Sequence, residues 1–347
     1  MNLLRSLLLG AGGGSSLFLL LAAVGCSTCS RPVTPAPALV PGATAPIIYK
    51  TNYHGWKDAI IMSGHGLEVV VVPAIGRLLQ FGFAGEEGVF WVNDQLRGKT
   101  PPEKPVGWMN FGGDKSWPAP ESDWPKRTNT FWHPPFAFDS KPVEALVGSH
   151  GVTLAAPTDT NYLIRSTRVI ELGPEPGTMR VETRYEKVGG ERQSVSVWTI
   201  SQLREPLAVF APVRPDSQFP RGFRTLSRDE PPTLRIQDRV LSLTRSPNAA
   251  YKIGLDADRL IWVGERQALM IESPRFPGAE YPDGGSSTEI YTNPDPLKYV
   301  ELEMLSPLRR LRDGDSYSLV VTYRLFPRRE ATPEAEARRI LAETVAR

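Results

Sequence analysis

Between Gly107 and Pro125 the chain concentrates Trp108, Trp117 and Trp124, a Gly112-Gly113 pair, three prolines and the charges Asp114, Lys115, Glu121 and Asp123. Trp132, His133 and Pro134 follow closely. Flat indole rings beside carboxylates and an ammonium suit a sugar. The C–H face of a pyranose packs on an aromatic ring, and fixed donors and acceptors take its hydroxyls. Asp114, Lys115, Trp117 and Trp124 are therefore expected to bind such a ligand. His133, followed by Pro134-Pro135, is a candidate general acid; its alternative is a packed, hydrogen-bonded histidine. The alternative for the tryptophans is that they cap an open end of a β-sandwich. Asp114, Glu121 and Asp123 fit no EF-hand spacing, and the four histidines include no pair at zinc-ligand spacing. No metal and no cofactor are expected.

This segment reads as a long loop rather than a strand, and long ordered loops are disproportionately functional. The body that must position it reads as all-β. From Thr178 to Val188, Met179, Val181, Thr183 and Tyr185 alternate with charged residues, which predicts a half-buried strand. Tyr317, Leu319, Val321, Tyr323 and Leu325 predict another between Ser316 and Phe326. Gly189-Gly190 is expected to join the first of these to 195–203 as a hairpin. Further strands are expected at 67–72, 78–83, 89–92, 161–172, 260–264, 268–271 and 299–305. The 33 prolines and 30 glycines punctuate them without any intervening helical pattern. That favours a large antiparallel β-sandwich over βαβ units. One short helix closes the chain: Thr332 caps it, Pro333 suits its first turn, and Ile340, Leu341 and Val345 form its apolar stripe.

The composition is that of an ordinary globular protein, 41% hydrophobic and 22% charged over 347 residues. A formal charge of +2, with no dense basic block, argues against a nucleic-acid partner. Both cysteines, Cys26 and Cys29, lie in the leader, so no disulfide is expected in the folded part. Residues 1–26 read as a signal peptide: Arg5 is followed by an apolar, small-residue run. It ends in Ala23-Val24-Gly25-Cys26, which resembles a bacterial lipobox and nominates Cys26 for lipidation. Ser27 after it points, by resemblance to bacterial sorting, to the periplasmic face of the outer membrane. A plain cleaved signal or an uncleaved anchor are the alternatives. Residues 27–46 form a Pro/Ala-rich tether, 47–329 the sandwich domain and 330–347 the C-terminal helix.

Several stretches together resemble the galactose mutarotase-like superfamily. Val71 to Phe81, with Pro73 and Gly76-Arg77, is similar to its opening strand–Pro–Gly-Gly-Arg–strand element. The runs 161–172, 179–188 and 197–203 resemble its long central strands. Tyr299 to Pro307, then Leu311 to Ser318, resemble its closing Val-x-Leu-Glu and Leu-x-Pro-Gly-Glu-x-Tyr pattern. The stretch from Asn110 to Pro118 is also similar to a bacterial branch of that superfamily whose function is unknown. The resemblance spans about 47–326 and implies a sandwich with sugar-directed chemistry. In active members a late-strand Glu takes the proton from the anomeric hydroxyl and a His donates to the ring oxygen. Glu303 matches that Glu, and it shares a strand face with Glu301. The histidines do not carry over: Phe111-Gly-Gly stands for His-Gly-Gly, and Trp198 stands for the second His. The resemblance adds Arg77, Asn110 and Trp198 to the expected sugar contacts.

Three functions are weighed. The first is an exported carbohydrate-binding lipoprotein. The second is an active aldose 1-epimerase-type isomerase with Glu303 as base and His133, Lys115 or a protonated Asp114 as acid. The third is an envelope scaffold lipoprotein that binds protein and leaves the tryptophans as packing.

Overall fold

A computed structural model describes residues 45–103, 107–128 and 133–345. The leader, Cys26 and Trp132 lie outside the described residues. Among those described, no helix is long and apolar enough to cross a membrane.

Two antiparallel sheets make up the molecule. The first has eleven strands. It runs Ile47–Tyr53, Trp56–Gly64, Leu67–Val72, Arg77–Phe83, Asp114–Ala119, Gln193–Arg204, Tyr299–Leu305, Thr288–Thr292, Tyr251–Leu255 and Arg224–Thr225. Arg309–Leu311 pairs beside this path with the start of Gln193–Arg204. The second sheet has ten strands centred on Gln267–Glu272, Ser316–Pro327, Thr178–Lys187 and Ile164–Leu172. The expected alternation holds on the long strands: Met179, Val181 and Tyr185 are buried, as are Leu319, Val321 and Tyr323. Edge-to-face rings join the sheets, with Phe81 and Phe90 of one side against Tyr323 of the other at 6.5 and 6.2 Å.

The C-terminal helix spans Pro333–Val345. The Thr332 hydroxyl accepts from the Ala335 N–H at 3.2 Å, as an N-cap should. Ala337 and Ile340 bury against Phe210, Ile261 and Met270, so the helix covers the outer face of the second sheet.

Three local expectations are corrected. Gly189-Gly190 does not close a hairpin: Thr178–Lys187 pairs with Ser316–Pro327 and Ile164–Leu172, whereas Gln193–Arg204 belongs to the other sheet. Period two marks a strand but not its partner. The 89–92 segment forms only isolated bridges, Phe90↔Leu203 and Val92↔Gly112. Residues 114–119, expected as loop, are a fully buried strand between Arg77–Phe83 and Gln193–Arg204. Asp114, Lys115 and Ser116 follow one another and both faces bury specific partners, so no apolar period appears. Its partner on one side meets it only at Leu78↔Asp114, which leaves room for Pro118, a residue without an N–H. The Gly112-Gly113 pair leads into it with positive φ at both residues. A Cβ at Gly112 would collide with the Trp91 carbonyl oxygen, and one at Gly113 with that of Leu78.

Candidate functional site

The strand Asp114–Ala119 places its side chains alternately on the two faces of the first sheet. Asp114 and Ser116 point between the sheets. The Asp114 carboxylate accepts from Arg168, from the Ser201 hydroxyl at 2.7 Å and from the Tyr323 hydroxyl at 2.6 Å. Ser116 meets the Tyr185 hydroxyl at 2.7 Å. Asp114 is therefore corrected from ligand contact to core anchor: it is fully buried, and its donors come from both sheets.

Lys115 and Trp117 point the other way, onto the outer face. Register fixes what lies beside them. Trp117 is opposite Trp198 and Lys115 opposite Ile200. Ile200 in turn is opposite Glu303, and Gln202 opposite Glu301. One strand further, Glu289 is opposite Glu303 and Tyr291 opposite Glu301. Lys252 is opposite Tyr291. The pleat thus gathers residues from five strands onto one face.

Two charged groups divide this face. In the first, Lys252 Nζ lies 2.6 Å from Glu289 Oε2 and 3.0 Å from Glu303 Oε2. The Trp198 indole N–H donates to Glu303 Oε2 at 2.7 Å. Burial opposes the Lys252 charge, but Glu289 and Glu303 outweigh it and hold the ammonium well above the ordinary lysine value. Burial pushes the Glu289 carboxyl well above the usual range, against the pull of Lys252 and with a push from Glu303 and Asp283. In the second group, Lys115 Nζ is 3.6 Å from Glu301 Oε1, which also accepts from Gln202 at 2.8 Å. Burial depresses the Lys115 ammonium and raises the Glu301 carboxyl.

The tryptophans wall the face at one end. Trp117 packs edge-on against Trp108, Trp124 and Trp198 at 5.8, 5.5 and 5.6 Å. Trp117 donates to Asp139 at 3.0 Å and Trp124 to the Pro118 carbonyl at 2.8 Å. Lys115 sits 4.8 Å over the Trp117 ring and Lys252 4.4 Å over that of Trp198. The expected open stacking platform is thus a packed cluster with an ammonium on two of its faces.

The other expected residues fall at different distances from this centre. Arg77 is buried and donates to Asp139 at 2.6 Å, so it supports Trp117 rather than reaching Glu303. Asn110 donates to the Tyr299 hydroxyl at 3.3 Å, at the far end of the Glu303 strand. His133 stacks on Phe136 at 4.8 Å, with Nδ1 3.2 Å from the Pro134 carbonyl. Among the described residues no hydrogen bond or ion pair joins it to Glu303, so the packed alternative describes it. Phe111 is fully buried against Leu79 and Ile75, which makes its position apolar core. Lys252 and Glu289 were missed. Their strands are only five residues long, and the alternation around them mixes charged and apolar residues on faces that are both covered.

Glu303 and Glu289 are fully covered, while the Lys252 side chain keeps 21% of its surface open. Solvent therefore reaches this cluster at Lys252. The turn Pro282–Gly285 lies beside it and brings the Asp283 carboxyl near Glu289. Among the described residues no group of three or more His, Cys, Asp or Glu side chains is placed to hold a metal ion.

No family model and no curated protein matches the sequence. Solved structures do. A galactose mutarotase-like protein of Lactobacillus casei aligns with a TM-score of 0.54 at 11% identity, over 77% of this chain and 100% of that one. A proposed mutarotase of Salmonella typhimurium gives 0.52 at 12%, over 84% and 97%. A galactose mutarotase-like protein of Clostridium acetobutylicum gives 0.50 at 12%, over 82% and 99%. The chain has the galactose mutarotase-like β-sandwich fold. At these identities the likeness is one of fold, and function is argued from the site.

Proposed function

We propose that this chain is a carbohydrate-binding protein, exported and held at the bacterial envelope by a lipid on Cys26, whose ligand site is the outer face around Glu303. The observation that carries the reading is the convergence of Lys115, Lys252, Glu289, Glu301, Glu303 and Trp198 on one sheet face. Lys115 Nζ has no hydrogen-bond partner there, nor does the buried Asn110 Oδ1. Buried polar atoms left unpaired are costly, and sugar hydroxyls, which both donate and accept, would satisfy both kinds. The fold supports the ligand class, because the solved relatives are described as mutarotase-like. The leader supports the location: its lipobox-like end and proline-rich tether suit a domain held off a membrane.

Because the Trp198 N–H touches Glu303, a ligand on this face changes the indole environment. Neutral hexoses are expected to shift tryptophan fluorescence saturably, and Trp198→Phe together with Lys115→Met is expected to remove the response. A broad glycan panel without any response rejects the reading. An epimerase activity with Glu303 as base is the second reading, favoured by the carboxyl pair that Lys252 bridges.

A further inference from the structure

The Glu303 cluster holds more carboxyl groups than its cations neutralise. Lys115 answers Glu301, so Lys252 alone faces both Glu289 and Glu303. Glu289 and Glu303 are cross-strand neighbours on the same face, which sets their Cβ atoms about 5 Å apart. Both are fully covered, and their Oε1 atoms have no donor among the protein's own groups. Two carboxylates so placed against one ammonium cannot both ionise; one retains a proton and donates it to the other. The site shows which one. Glu303 Oε2 accepts from the Trp198 indole and lies 3.0 Å from the Lys252 ammonium. Glu289 has no second donor of that kind, and Asp283 on the adjoining turn adds a further carboxyl beside it.

We propose that Glu289 is the proton donor of a sugar ring-opening reaction in this site, paired with Glu303 as the base, in place of any histidine. This rests on the reading that the outer face binds a pyranose. Glu303 takes the proton of the anomeric hydroxyl. The anomeric carbon–ring oxygen bond breaks, its electron pair goes to the ring oxygen, and that oxygen takes the Glu289 proton. The product is the open-chain aldehyde, with Glu289 ionised and Glu303 protonated. Rotation about the C1–C2 bond and reversal of both transfers returns either anomer and restores the original protonation. One carboxyl gains a proton as the other loses one, so the net charge of the pair is constant, and Lys252 lies against an oxygen of each. Raising of the Glu289 carboxyl by burial and by its neighbours suits an acid that must remain protonated near neutrality.

The test follows anomer interconversion of a hexose by polarimetry alongside tryptophan fluorescence of the same protein. At sugar concentrations that saturate the fluorescence response of each protein, Glu289→Gln is expected to lower the interconversion rate about 100-fold or more. Glu289→Asp is expected to restore part of the rate. In the wild type the rate is expected to fall as the pH rises past the point where Glu289 ionises, and Glu289→Gln should lack that limb. The groups that set it are Lys252, Glu303 and Asp283, one from each element packed on Glu289. Fluorescence response without any wild-type catalysis overturns this proposal and leaves the binding reading intact. So does a normal rate in Glu289→Gln, or a rate lost in His133→Gln and kept in Glu289→Gln. Absence of any sugar response rejects the binding reading and this proposal with it.

Discussion

Asp114 and Lys115 are consecutive, both buried and both charged, yet they face opposite sides of the same sheet and belong to opposite kinds of polar network. On the inner side Asp114 meets Arg168, Ser201 and Tyr323, and its carboxylate is saturated with donors. On the outer side Lys115 has only a 3.6 Å ion pair with Glu301, and its ammonium makes no hydrogen bond. A complete network between two sheets specifies how they dock. An incomplete one on the outside leaves donors and acceptors for something else to satisfy.

That contrast predicts unequal responses to mutation. The largest is expected at Asp114→Ala, which strands the Arg168 guanidinium between the sheets and should cost about 3–5 kcal/mol in urea unfolding. A loss below about 1 kcal/mol would mean that the inner network does not lock the sheets. Lys115→Met should cost less than half as much, because Glu301 keeps the Gln202 N–H and can take up a proton. Equal losses at the two positions would erase the distinction between the faces. The smallest effect is in the pH dependence of stability. Glu289 and Glu301 both hold a proton more tightly folded than unfolded, since burial raises both above the ordinary 4.5. Their contribution is fully present below pH 4.5 and is lost as the pH rises toward the folded values. Urea midpoints measured across that range should therefore slope downward, and Glu289→Gln should flatten the slope by its own share. An unchanged slope would place the retained proton elsewhere.

The long strands were legible because each has one apolar face against the core, as at 178–187 and 316–327. Their partners were not. Gly189-Gly190 reads as a hairpin turn from its composition, and only the sheets show that the chain crosses between them there. The site was legible in part. Glu303, Lys115, Trp117 and Trp198 do lie on one face, and Trp124 packs on two of these rings. Asp114 was expected from its side-chain chemistry and Arg77 from the resemblance, but the pleat and Asp139 turn them to other tasks. Lys252 and Glu289 carry no local signal, because a charged residue in a short strand looks like a solvated one until something covers it.

The order of residues alone determined the β character of the chain, the capped terminal helix and the aromatic, charged chemistry available between Gly107 and Pro125. Those follow from alternation, capping and side-chain type, which are properties of neighbours in sequence. Tertiary structure alone decided that Lys252, Glu289 and Glu303, from three separate strands, share one charge cluster while Asp114 stays out of it. Register between distant strands, and the side of the sheet on which each residue falls, place charges a few ångströms apart, and neither is encoded within a single strand.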